Sequence, residues 1–162
     1  MEMGVLRLGT SCVDKATGLT GTLTHWIVGM DARVYYVFQP KGLNEEGQPI
    51  KKIYLCDQRL VVKRGDYENR EVPFNILGSQ VKNAASGFTG MAITFILHNT
   101  GCFHVEVQPK GTLPKGGPIS SNEFALTELT GKEIPAQTKE QRAQTIADGP
   151  SPSGLPAQKD YT

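Results

Sequence analysis

The sequence repeats itself once, at a constant spacing and without a gap. Residues 14–28 read DKATGLTGTLTHWIV and residues 83–97 read NAASGFTGMAITFIL, so each position recurs 69 residues later. The same spacing of 69 residues relates the QPKG of residues 39–42 to the QPKG of residues 108–111. An ungapped match that keeps turn glycines, apolar positions and a polar tetrapeptide in phase predicts two structural copies of one small unit.

Within each copy the apolar residues alternate with a period of two, which is typical of β-strands. In RVYYVF, Val34, Tyr36 and Phe38 fall on one face, and CFHVEV repeats this pattern. Trp26 belongs to another alternating segment and is expected in the core. Neither half contains a convincing amphipathic helix, and 18 glycines and 10 prolines supply many turns. The chain is therefore predicted to be all-β.

The paired glycines of TGLTG and SGFTG are predicted to form the turn that leads into the long strand. The chain must reverse its direction there, and glycine adopts positive φ at little cost. Asp14 and Asn83 lie four residues before the first glycine of each pair, where their side chains can hydrogen-bond the turn backbone. This structural role is assigned to Gly18, Gly21, Gly87 and Gly90.

This order of short strand, Asp or Asn, Thr/Ser-Gly-x-Thr-Gly and extended strand resembles small SH3-like proteins encoded by tailed bacteriophages. It is also loosely similar to the KOW-type barrels of ribosomal and transcription proteins. The resemblance covers about residues 8–62 and 77–131; IYLCDQRL fits the closing strand of the phage proteins, whereas NEFALTEL departs from it. It implies two tandem SH3-like small barrels in a phage setting, and it supplies no catalytic residues.

The domain organisation expected from these patterns is a first barrel over residues 1–70, a second over 71–131 and a tail over 132–162. The tail is poor in apolar residues and rich in Pro, Gln, Ser and Lys, which predicts an extended or disordered segment without a core of its own. Residues 138–147 could form one short helix that begins with the capping box TKEQ.

Charge and composition argue against several classes of partner. The 17 Lys and Arg residues nearly balance the 16 Asp and Glu residues, which makes a nucleic-acid surface unexpected, although a KOW-like module that uses Lys15, Arg33, Lys41 and Lys110 stays an alternative. No apolar run approaches the ~20 residues of a membrane span, and the first residues lack the order of a secretory signal. We therefore expect folding in a cytoplasm and no membrane partner. Whether any of the three cysteines forms an intermolecular disulfide stays open: Cys12, Cys56 and Cys102.

No catalytic, cofactor or metal site is predicted. The P-loop, zinc-protease and nucleophile-elbow motifs are missing from the sequence. The segment HNTGCFH combines His98, Cys102 and His104, which raises the hypothesis of a metal site. The first copy has Gly, Arg and Tyr at these positions, and a fourth ligand at a usual spacing is missing. The segment is therefore interpreted as a loop and strand without a metal.

An interaction surface is predicted on the outward face of the RVYYVF strand, at Tyr35 and Val37. An aromatic and aliphatic pair there favours a protein interface over cover within the barrel itself. Together with the resemblance, this predicts a non-enzymatic virion protein, either a capsid decoration or a neck, collar or tail component. It would bind neighbouring phage structural proteins and associate with itself in a symmetric assembly. An effector that binds a host protein or a small ligand is the alternative.

Overall fold

The computed structural model describes residues 1–135, which form twelve strands and four 3₁₀ turns. The all-β prediction is confirmed for this part of the chain. The strands are β1 Glu2–Leu6, β2 Ser11–Asp14, β3 Thr20–Gly29, β4 Val34–Pro40, β5 Ile53–Leu55, β6 Leu60–Val61, β7 Tyr67–Glu71, β8 Gln80–Asn83, β9 Thr89–His98, β10 Phe103–Gln108, β11 Asn122–Ala125 and β12 Leu129–Thr130. The 3₁₀ turns are Asp57–Arg59, Arg64–Asp66, Phe74–Ile76 and Leu126–Glu128.

Five strands and one 3₁₀ turn recur in the same order, first as β2–β6 and then as β8–β12. In both sets the 3₁₀ turn directly precedes the last short strand. The ten residues of β3 and the ten of β9 share one pattern of buried and exposed positions. The pairing to the following strand is irregular at Thr24 in β3 and at Ile93 in β9. The recurrence in sequence therefore corresponds to a recurrence of local structure.

The ten recurring strands belong to one sheet rather than to two. Strand β2 covers only the start of β3, and β8 covers only the start of β9. The remaining edges of β3 and β9 pair with each other, antiparallel, over residues 25–29 and 94–98. No closed barrel is found among residues 1–135. The structure thus differs from the expected pair of separate closed barrels, because each long strand satisfies its free edge with the other.

A two-stranded ribbon of β1 and β7 has no counterpart in the second half and was not predicted. The terminal amine lies 2.6 Å from Glu71 Oε1, and Val5 and Leu6 are fully buried. The Leu6 N–H donates to the Tyr36 hydroxyl at 2.8 Å, which ties the ribbon to β4. The expected boundary at residue 70 therefore falls inside β7.

A single hydrophobic cluster contains residues of both halves, including the fully buried Trp26 and its counterpart Phe95. Trp26 is a core residue, as expected, and its ring packs edge-on against Phe103 with centroids 5.7 Å apart. Ile134 is partly buried against the same cluster, so the packed chain extends past the expected boundary at residue 131. The predicted helix at 138–147 lies outside the described residues. No described helix is long and apolar enough to cross a membrane.

Candidate functional site

The turn before each long strand is built around Gly18 and Gly87, whose φ angles are +77° and +80°. The N–H of Gly18 donates to the carbonyl of Asp14 at 2.7 Å, and that of Gly87 donates to the carbonyl of Asn83 at 2.8 Å. A side chain at such a φ would be strained. These two glycines therefore occupy the turn positions that the sequence assigns to them.

Gly21 and Gly90 have a different place from the one expected, because both lie inside the long strands and neither has a positive φ. A Cβ at Gly21 would collide with the carbonyl oxygen of Gln39 on β4, and a Cβ at Gly90 with that of Gln108 on β10. Glycine is needed here for the close approach of two backbones rather than for a turn.

The side chains of Asp14 and Asn83 hold the turns from inside, but with different partners. Asp14 accepts hydrogen bonds from the Thr17 hydroxyl at 2.6 Å and from Arg59 Nη2 at 2.6 Å. Asn83 accepts from the backbone N–H of Ser86 at 2.8 Å. The hydrogen bonds from Arg59 and then Thr17 hold the pKa of Asp14 well below its usual range. Only the first half therefore uses an ion pair at this position.

The predicted interface pair is half wrong. Tyr35 is 40% exposed, whereas Val37 is only 7% exposed because it lies between its strand neighbours His25 and Tyr54. Tyr54 is 66% exposed and lies on the same face, diagonal to Tyr35. The exposed aromatic pair of the first half is therefore Tyr35 and Tyr54, with Val37 buried beneath it.

One row of this face crosses four strands and joins both halves. Tyr35 is opposite Ile27, Ile27 is opposite Ile96, and Ile96 is opposite His104. Tyr35 and His104 occupy equivalent positions of the repeat, but His104 is only 5% exposed. The rings and the carboxylate that surround His104 form the most polar cluster of this face.

All three histidines of the chain meet in that cluster. The ring centroids of His25 and His98 are 4.4 Å apart, and those of His98 and His104 are 4.3 Å apart. Glu123 Oε1 lies 3.2 Å from His98 Nε2 and 2.9 Å from His104 Nδ1. We call His98, His104 and Glu123 the His–Glu cluster. Its members come from three adjacent strands, β9, β10 and β11.

The electrostatics of the His–Glu cluster favour a charged carboxylate. The adjoining rings of His104 and His98 lower the pKa of Glu123 to about 2. Burial, together with the positive potential of His98, lowers the pKa of His25 to about 4. His25 therefore is neutral at pH 7, and its Nδ1 lies 2.8 Å from the Thr24 hydroxyl.

His104 is the unusual member of the cluster because its Nδ1 is buried without an aligned hydrogen bond. The contact with Glu123 is short, at 2.9 Å, but it does not have the direction that a hydrogen bond requires. A buried nitrogen without a hydrogen-bond partner is costly. It therefore indicates a ligand position.

Sequence reasoning selected two of these residues and missed the others. His98 and His104 were recognised in HNTGCFH, whereas Cys102 of the same segment is exposed and outside the cluster. Glu123 is distant in sequence and becomes a neighbour only through the pairing of β10 with β11. The predicted register of those two strands is the signal that would have found it.

Comparisons with known proteins leave the chain without a relative: no family model matches it, and neither a curated protein nor a solved structure matches it significantly.

Proposed function

We propose that this chain is a non-enzymatic virion accessory protein of a tailed phage, a capsid decoration or a neck, collar or tail component. In this proposal, its two halves are copies of one SH3-like unit. The order of four strands, a 3₁₀ turn and a closing strand supports the SH3-like assignment of each unit. The resemblance of the glycine-turn motif to small phage proteins supports the phage setting.

The observation that carries the proposal is the symmetry of the β3–β9 pairing. His25 pairs with His98 and Gly29 pairs with Thr94, so each strand meets the other through the same positions of the repeat. This is the arrangement of an isologous interface, in which a surface patch contacts its own copy. The chain consequently presents two similar binding surfaces, related by a local two-fold axis.

The two long loops suit this role because they are alike, ordered and tipped with leucine. Gln39 Nε2 donates to the Ile50 carbonyl at 2.7 Å, and Gln108 Nε2 donates to the Ile119 carbonyl at 2.6 Å. The loops carry Leu43, 66% exposed, and Leu113, 49% exposed. A loop that is fixed before binding loses little entropy in a complex, and two such loops can bind a repeated partner with avidity.

Purified particles provide the experiment that tests the proposal. Mass spectrometry of phage particles should find the chain in a fixed ratio to the major structural proteins. A chain that carries both Leu43→Asp and Leu113→Asp should fold but be depleted from particles, since each aspartate would enter an apolar contact. Glu45→Gln in the first loop is the matched control and should leave incorporation unchanged.

Two outcomes would contradict the proposal. The chain could be absent from particles and found only in infected cells, which would favour an effector with a host partner. Alternatively, the double aspartate variant could enter particles as well as the unchanged chain does, and the leucine-tipped loops would then have no part in binding.

A further inference from the structure

We propose that the His–Glu cluster binds one divalent transition-metal ion, with Zn²⁺ as the ion that fits best. The ligands would be His98 Nε2, His104 Nδ1 and one oxygen of Glu123. The donor atoms of these residues all lie within 4.8 Å of one another. This inference is independent of whether the chain is part of a virion.

The distances between donors match a tetrahedral zinc site. Ligand bonds of ~2.0–2.1 Å place two ligands of a tetrahedral ion about 3.3 Å apart. The carboxylate oxygen of Glu123 lies 3.2 Å from His98 Nε2 and 2.9 Å from His104 Nδ1. Small movements of these side chains would therefore place all three donors around one ion.

The chemistry of the donors selects the class of ion. Two imidazole nitrogens with one carboxylate favour zinc and its transition-metal neighbours, whereas magnesium and calcium prefer oxygen ligands. A bound ion would also satisfy His104 Nδ1, which is buried without an aligned hydrogen bond. Glu123 is 42% exposed in its side chain, so the ion has access from solvent and a fourth position for water.

The ion would have a structural effect that follows from the strands involved. Strand β11 is at the edge of the sheet and is held by β10 alone. A ligand from β11 together with ligands from β9 and β10 would fasten this edge to the sheet. Zinc should therefore raise the thermal stability of the second half.

Titration calorimetry on the full chain without a histidine tag is the direct test, after chelator treatment and transfer to metal-free buffer. Zn²⁺ should bind at one ion per chain and raise the melting temperature, and Mg²⁺ should do neither. His98→Gln and Glu123→Gln should each weaken zinc binding at least ~100-fold, since loss of a residue behind a ligand already costs 10–100-fold. Both replace partly exposed residues, so they avoid the buried His104.

Cys102→Ser is the matched control, because Cys102 belongs to the same sequence segment but lies outside the cluster. It should bind zinc as the unchanged chain does, and Co²⁺ in the site should show no absorption from a sulfur ligand. Absence of saturable zinc binding would overturn the proposal. So would unchanged affinity in both His98→Gln and Glu123→Gln, or a loss of affinity in Cys102→Ser.

Discussion

Ile27 and Ile96 face each other across the β3–β9 pair, and they are the same position of the repeat, 69 residues apart. A residue that pairs with its own counterpart marks the point where the local two-fold axis crosses the sheet. The same pairing covers the edges that β2 and β8 leave free. One contact therefore explains why the strands form a single sheet.

Alanine at either isoleucine should have nearly the same effect. Both side chains are half-buried, so we expect each variant to lose about 1–2 kcal/mol of unfolding free energy, below the ~2–5 kcal/mol of a fully buried site. The double variant should lose less than the sum, since the residues contact each other. Denaturant unfolding measures all three. Two single variants that differ by more than about 1 kcal/mol would contradict the symmetry.

The sequence predicts the local structure well because the local signals are strong. Alternation of apolar residues correctly placed Tyr36, Phe38 and Trp26 in the core, and the turn chemistry placed Gly18 and Gly87. Each of these depends on neighbours within a few positions, and strand periodicity reports on such neighbours directly.

The long-range features could not be predicted in the same way. Pairing of β3 with β9 depends on which edge is free, and the burial of Val37 depends on Tyr54 beyond a long loop. Glu123 joins the histidines only through the register of β10 and β11. The β1–β7 ribbon lacks a second copy, so the repeat contained no signal for it.

Phenylalanine in place of Tyr36 should weaken the attachment of the β1–β7 ribbon. The hydroxyl of Tyr36 accepts the Leu6 N–H at 2.8 Å, and its loss leaves a buried donor without a partner. We expect a loss of about 1–3 kcal/mol and faster hydrogen exchange at the Leu6 amide. Tyr35→Phe, on the exposed face, is the control and should change little. Unchanged protection at Leu6 in Tyr36→Phe would show that this hydrogen bond contributes nothing.

Alanine substitutions should separate the two classes of glycine. Gly18→Ala should cost about 1 kcal/mol or more, because only the backbone conformation opposes it. Gly21→Ala should cost more, because its Cβ would meet the Gln39 carbonyl and force β3 away from β4. Gly65→Ala is the control, since a Cβ there meets nothing within 4 Å and its φ is not positive. If Gly21→Ala proves milder than Gly18→Ala, the close approach of the two strands is not what requires glycine.

Acid should destabilise the first half through Asp14. The hydrogen bonds from Arg59 and Thr17 lower its pKa in the folded chain, whereas the unfolded chain has the ordinary value of about 3.9. A lowered folded pKa means that the stabilisation is present above about pH 4–5 and is lost as the pH falls further, toward the folded pKa. Asp14→Asn should therefore flatten the dependence of stability on pH in this range. Glu123, whose pKa is also lowered, to about 2, titrates in both proteins, so the difference between them isolates Asp14. Asn83→Ala, at the position where the second half has no carboxylate, should lower stability without changing the slope. Equal slopes for the unchanged chain and Asp14→Asn between pH 2 and 5, measured by thermal unfolding, would contradict the assignment of the ion pair with Arg59.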